Sequence, residues 1–207
     1  MGILAARADF DPAAIQRQFV ERFGTDRAAV LTHWLELTGK AQQLEEKDKL
    51  VRINNFVNQL IAFESDINVW QQSDYWATPL ETLGQGRGDC EDFAILKYVS
   101  LRLAGVPRSK LRLVYAKARL DTPHGPTLQA HMVIAYYARP DAEPLVLDNL
   151  DGRIRPASQR RDLTPVFSFN SDGIFDNLSG TDKAAAGIGR LSRWEDAWRR
   201  IAAEGFK

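Results

Sequence analysis

Gly88-Asp89-Cys90-Glu91-Asp92-Phe93-Ala94 is the stretch on which the reading of this chain turns. Gly84, Gly86 and Gly88 lie just before Asp89, and a loop of that kind lets the backbone take positive φ and turn sharply. Asp89 then reads as the N-cap of a helix running to about Leu103, with Ala94, Tyr98 and Leu101 on one buried side and Gly105 and Pro107 ending it. Cys90 is the only cysteine, so it is a free thiol or an intermolecular partner. A lone cysteine is ordinarily a small buried hydrophobe. At a helix start, however, the macrodipole and the free N–H groups favour a thiolate, and the Cys90 N–H would point toward an oxyanion formed by thiolate attack.

Upstream, the period is helical. Asp11-Pro12 is an N-cap followed by a first-turn proline, and Ile15, Phe19 and Phe23 recur every four residues before Gly24. Val30, Trp34 and Leu37 form a second stripe closed by Gly39, and Leu50, Ile53, Val57 and Leu60 a third, with Phe56 beside them. Thr78-Pro79-Leu80-Glu81 is a capping box opening a short helix to Leu83.

Downstream, the period changes to two. Leu111, Leu113 and Tyr115 alternate, and 130–137, 144–148 and 164–169 read as strands. Residues 170–189 read as a long surface loop, and Trp194, Trp198 and Ile201 as a closing helix. Helices followed by an antiparallel sheet make an α+β fold. Ala6-Arg7-Ala8 has the form of a signal-peptidase site, so 1–8 reads as a residual leader or expression remnant before a single domain over 9–207.

Of the three histidines, His33 falls in a helical stripe and His124 in a Pro/Gly turn, whereas His131 sits at the edge of a strong strand. There it can take a proton from a thiol and return it to a leaving amine. Asp148 ends the strand Pro144-Leu145-Val146-Leu147, and if the two strands pair it can orient that imidazole. Cys90, His131 and Asp148 are the candidate catalytic residues. Trp76 or Tyr75 would shape the cleft.

Asp89, Glu91 and Asp92 flank the thiol and should raise its pKa unless a cation offsets them. At about 100° per residue they share one side of the helix while Cys90 points away. Carboxylates suit Ca²⁺, but acids also favour a first helical turn, and spacing alone favours ordinary capping.

The chain has 207 residues, 44% of them hydrophobic, enough for a core without disulfides. Its 27 basic and 27 acidic residues balance, which argues against a nucleic-acid binder and leaves a monomer as the default. No apolar run reaches the roughly 18–20 residues that span a bilayer, which argues against membrane insertion.

Gly88 to Ala94, with Asp74-Tyr75-Trp76-Ala77-Thr78-Pro79 before it and Lys97-Tyr98-Val99-Ser100-Leu101 after it, closely resembles the LapG-type bacterial transglutaminase-like cysteine proteinases. So do Ala130-His131-Met132-Val133, Pro144 to Asp148, Arg155 to Arg160 and Leu191-Ser192-Arg193-Trp194. The resemblance implies a papain-like or transglutaminase-like fold, with a catalytic helix packed on the sheet. It implies a periplasmic, calcium-dependent protease that cuts the N-terminal region of a large surface adhesin at a di-alanine site and so releases biofilm. An inner-membrane receptor for cyclic di-GMP would sequester it. By the same resemblance Cys90, His131 and Asp148 form the triad. It also implies that Asp89, Glu91 and Asp92 hold Ca²⁺, where spacing alone favours capping. Two rivals share these residues: a transglutaminase-type amide acyltransferase, and a non-catalytic receptor-binding module that keeps the fold.

Overall fold

A computed structural model describes residues 11–175 and 188–206. The expected leader at 1–8 lies outside them. Helix α1 (Pro12–Phe23) begins at Asp11, whose side chain accepts from the Ala13 and Ala14 N–H groups, and buries Ile15 and Phe19. Helix α2 (Ala28–Ala41) runs two residues past Gly39. Packing overrides the expected stop, because Thr38 and Ala41 flank the glycine and are both buried. Helix α3 (Glu46–Leu60) buries Leu50, Ile53 and Val57 as the spacing predicts.

Strand β1 (Ala62–Phe63) leads to the short helix α4 (Asp66–Trp70). The capping box then opens α5 (Pro79–Gln85), with the Glu81 N–H on Thr78 Oγ1 and the Thr78 N–H on a Glu81 carboxylate oxygen. Strand β2 (Arg87–Gly88) pairs in parallel with β1, which pins the glycine loop. Two glycines there are needed. Gly86 has φ +69° at the end of α5, and a Cβ at Gly88 would stand 2.3 Å from Asp92 Oδ2.

Helix α6 (Cys90–Leu103) buries every residue from Asp92 to Leu101, not the single side expected. It is wedged between the helices and the sheet, so it has no solvent face over those turns. Ser100 is paired inside: Trp34 Nε1 donates to Ser100 Oγ at 2.7 Å.

Strands β3 (Leu111–Thr122) and β4 (Gly125–Tyr136) form a long hairpin. With β5 (Leu145–Leu147), β6 (Arg155–Pro156), β7 (Leu163–Asn170) and β8 (Gly173–Phe175) they make an antiparallel sheet of order β6-β5-β4-β3-β7-β8. Strand β8 corrects the loop expected from residue 170. The Asp172 N–H donates to Asn170 Oδ1, and this side-chain turn folds the chain back so that Asn170 faces Gly173. Of the rest of that expected loop, 176–187 lie outside the described residues, and 188–189 belong to the closing helix. Helix α7 (Ile188–Ala203) closes the core with Trp194 and Ile201. One sheet face, with Leu113, Met132, Ile134 and Phe169, joins the helices in the main core. The other face carries a smaller cluster of Val114, Val133, Ala135, Tyr137 and Val146.

Candidate active site

Cys90 is the first residue of α6, as the sequence predicts. Its surroundings differ from the expectation. The Cys90 thiol donates to Glu91 Oε2 at 2.8 Å, so the neighbouring acid folds back onto the sulfur although their Cβ positions diverge around the helix. Burial pushes the Cys90 thiol up, and Glu91 and Asp89 push it further, while the Met132 backbone N–H favours the anion. Without a cation, burial and the two acids favour the thiol form. The sequence expects this rise, since the flanking acids suppress the thiolate unless a cation offsets them.

His131 sits within β4 rather than at its edge, because β3 pairs with β4 along its whole length. Strand β5 covers only Ile134 to Tyr136 on the other side. This pairing brings Asp148, one residue past β5, to the buried imidazole, with His131 Nε2 and Asp148 Oδ1 2.7 Å apart. Asp148 Oδ1 also accepts from the Asn149 and Leu150 N–H groups, and Oδ2 accepts from Arg160 Nη2 at 2.6 Å. Burial works to raise the Asp148 pKa, but His131, Arg160 and the loop N–H groups prevail and hold it at about 2.

Cys90 and His131 border one cavity of about 470 Å³, walled also by Phe63, Trp76, Tyr115, Gln129 and Arg193. Trp76 shapes this cleft, with its Nε1 on Asp74 Oδ1. Tyr75 does not: its hydroxyl donates to Glu81 and accepts from Arg200, inside a network of ion pairs that ties α5 to α7.

Beside the cleft lies a cluster of acids. Carboxylate oxygens of Asp66, Asp89 and Asp92 lie within 4.8 Å of one another, and so do those of Asp66, Asp74 and Glu91. Asp89, Glu91 and Asp92 were legible in the sequence, whereas Asp66 and Asp74 were not. Asp66 opens α4 far away in the chain, and the β1–β2 pairing carries it in. Asp92 accepts from the Ala77 and Asp89 N–H groups, but Asp66 Oδ1 and Asp89 Oδ1 are buried with no donor. Burial, reinforced by mutual repulsion, pushes Asp66 up to about 6 and Asp89 to about 10, and Asp92 well above the usual carboxylate range. Clustered hard oxygens, two of them unsatisfied, have the chemistry of a site for a divalent cation.

The family model of the bacterial transglutaminase-like cysteine proteinases matches residues 25–161. Among solved structures, Legionella pneumophila LapG is 35% identical over 93% of this chain and 98% of its own, with a TM-score of 0.73. A calcium-bound structure of that protein is 34% identical over 93% of this chain and 99% of its own, at a TM-score of 0.76. An EGTA-treated structure is 34% identical over 93% and 98%, also at 0.76. Among the curated proteins none matches.

Proposed function

Because this chain belongs to the bacterial transglutaminase-like cysteine proteinases, we propose that its protease chemistry runs through Cys90, His131 and Asp148, with Ca²⁺ held beside them. The observation that carries this reading is the buried His131–Asp148 pair, whose imidazole borders the same cavity as the lone thiol. With Nε2 engaged by Asp148, Nδ1 is the imidazole nitrogen left to serve the sulfur. His131 takes the thiol proton as Sγ bonds to the scissile carbonyl carbon and the π pair moves to oxygen. The Cys90 backbone N–H meets that oxyanion. Collapse breaks the C–N bond, and His131 gives its proton to the leaving amine. Water, deprotonated by His131, then attacks the thioester and frees the thiol and a carboxylic acid.

Asp89, Glu91 and Asp92 would hold Ca²⁺, with Asp66 beside them. Bound there, the ion supplies positive charge that offsets the carboxylates facing Cys90. The fit rests on the unsatisfied oxygens of Asp66 and Asp89, and solved relatives that are calcium-bound and EGTA-treated support it.

The substrate on this reading is the N-terminal region of a large surface adhesin, cut at a di-alanine site. Small side chains suit a cleft walled by Trp76 and Tyr115. The setting is the periplasm, where an inner-membrane cyclic di-GMP receptor holds the enzyme back. No described helix is long and apolar enough to cross a membrane.

The test is incubation with an adhesin N-terminal fragment, read by mass spectrometry. Two products with free termini are expected with Ca²⁺, and none with excess EGTA or in Cys90→Ala. Crosslinked product in place of two termini would make the enzyme an acyltransferase. Cleavage by Cys90→Ala would remove the thiol mechanism.

A further inference from the structure

Residues 71–78 join α4 to α5 without regular structure, and both halves of the site meet on them. Ser73, Asp74 and Trp76 wall the catalytic cavity. Asp74 also belongs to the acid cluster, and the Ala77 N–H donates to Asp92 Oδ1 at 2.8 Å. A segment with no helix or ladder bonds of its own takes its shape from what grips it.

Helix α7 supplies that grip. Arg193 and Arg200 are about two turns apart and share one face of it. Arg193 meets Asp74 Oδ2 at 3.1 Å, but both side chains are exposed and such a pair is weak. Arg200 is better engaged. Its Nη2 donates to the Trp76 backbone C=O at 2.6 Å, and its Nη1 to Glu81 Oε2 at 2.6 Å and to the Tyr75 hydroxyl at 2.9 Å. Charge-assisted bonds spread from one planar group fix direction as well as distance. Glu81 is the capping acid of α5, so the guanidinium ties this segment to the helix that follows it.

The Trp76 C=O and the Ala77 N–H belong to one peptide unit. That unit is planar and trans, so the two groups point in opposite directions. Arg200 holds the oxygen end and Asp92 the hydrogen end. The indole of Trp76 stacks on the buried Phe169, with ring centroids 5.7 Å apart. Its ring is therefore held from the sheet and its backbone from α7. Arg200 itself lines neither the catalytic cavity nor the acid cluster.

We propose that Arg200 is a positioning residue for both halves of the site. Through the peptide between Trp76 and Ala77 it sets the wall against which the substrate lies and braces the Asp92 carboxylate of the cation site. Substrate fit and Ca²⁺ affinity then change together when Arg200 is lost. These two effects rest on the proposed function, whereas the placement of the indole does not.

The test is Arg200→Met in the full chain, which keeps an extended apolar stem and removes the guanidinium. With fluorotryptophan in place of tryptophan, the Trp76 fluorine resonance, assigned with Trp76→Phe, should shift or broaden. An unmoved resonance in the folded variant would overturn the proposal. On the adhesin N-terminal fragment, KM should rise at least five-fold while kcat stays within two-fold. Calorimetry should show Ca²⁺ binding weakened at least three-fold. Iodoacetamide should alkylate Cys90 in EGTA at the parent's rate, since Arg200 does not touch the thiol. An unchanged KM in a variant that cuts the fragment, or a change in only one of KM and Ca²⁺ affinity, would overturn the shared role. If Arg200→Met does not fold, Arg200→Lys puts one nitrogen where three are bonded and should move the same readouts in the same direction. A parent that leaves the fragment uncut would sink the protease reading, and the fluorine resonance would then decide the positioning role by itself.

Discussion

The two flanks of the cleft are built in opposite ways. On one, every Asp148 oxygen has a donor, and the carboxylate is an anion at any physiological pH. On the other, Asp66 and Asp89 each keep a buried oxygen with no donor, and their neighbours are further acids. The first flank is organised by the protein alone, whereas on the second Arg193 pairs with Asp74 and leaves Asp66 and Asp89 with no cation among the described residues. Desolvation acts on both. What differs is compensation: Asp148 has a histidine, an arginine and two backbone N–H groups to itself, whereas Asp66 and Asp92 have backbone N–H donors and face other carboxylates.

The comparison breaks most sharply at Asp148. Asp148→Asn keeps the shape but replaces a charge acceptor with an amide that can present an N–H to His131 Nε2. The imidazole then has the wrong tautomer for its task, and kcat should fall about 10³–10⁴-fold with KM little changed. Stability should fall as well. The folded Asp148 pKa lies below its ordinary 3.8, so the stability it contributes is full above that value and is lost as pH falls through about 2. A variant within ten-fold of the parent in kcat would mean that His131 needs no anionic partner.

The acidic flank should answer with the opposite sign. Asp89 is held at about 10 in the fold against 3.8, so the folded chain binds the extra proton between those values and stability declines as pH rises through them. Asp89→Asn removes that penalty while keeping a good N-cap residue. In EGTA at pH 7 the variant should be more stable than the parent by roughly 2–4 kcal/mol. In Ca²⁺ the order should reverse, because the parent gains binding energy that the variant has lost. Urea midpoints in both buffers give the four values needed. Parallel behaviour in the two buffers would dissociate Asp89 from the cation.

How much of this contrast could be read from the chain follows from the same physics. The thiol, imidazole and carboxylate were legible because each marks the start or end of an element or lies in one strong strand, and the Asp148 pairing needed only two adjacent strands. The capping box at Thr78–Glu81 was legible because it is local. Asp66 was not, since a two-residue parallel pairing brings it in and leaves no periodic trace. Nor was the turn of Glu91 onto Cys90: a spacing of 100° places Cβ atoms, while a flexible side chain chooses its own acceptor or donor. Arg160 ends a family-like stretch without showing a role there, because nothing local marks an arginine as the partner of a distant carboxylate.

Helix α6 reads as one-sided in the sequence for a reason that yields the smallest expected effect. Lys97 sits at a position where a charged side chain signals solvent, yet it is 1% exposed. Burial pulls its ammonium down to about 7 from 10.5, against the pull of Asp148. The unfolded chain therefore binds more protons between those values, and stability should rise with pH from about 7 to 10.5. Lys97→Met, similar in length and uncharged, should stabilise the fold by roughly 2–3 kcal/mol at pH 7 and by much less above pH 10. Denaturation at the two pH values distinguishes this from better packing, which would help equally at both. Asp148 keeps all its hydrogen-bond partners, so activity should change only a few-fold. A large loss of kcat in a stabilised Lys97→Met would show that this flank of the cleft also depends on a charge outside the ring of contacts around its carboxylate.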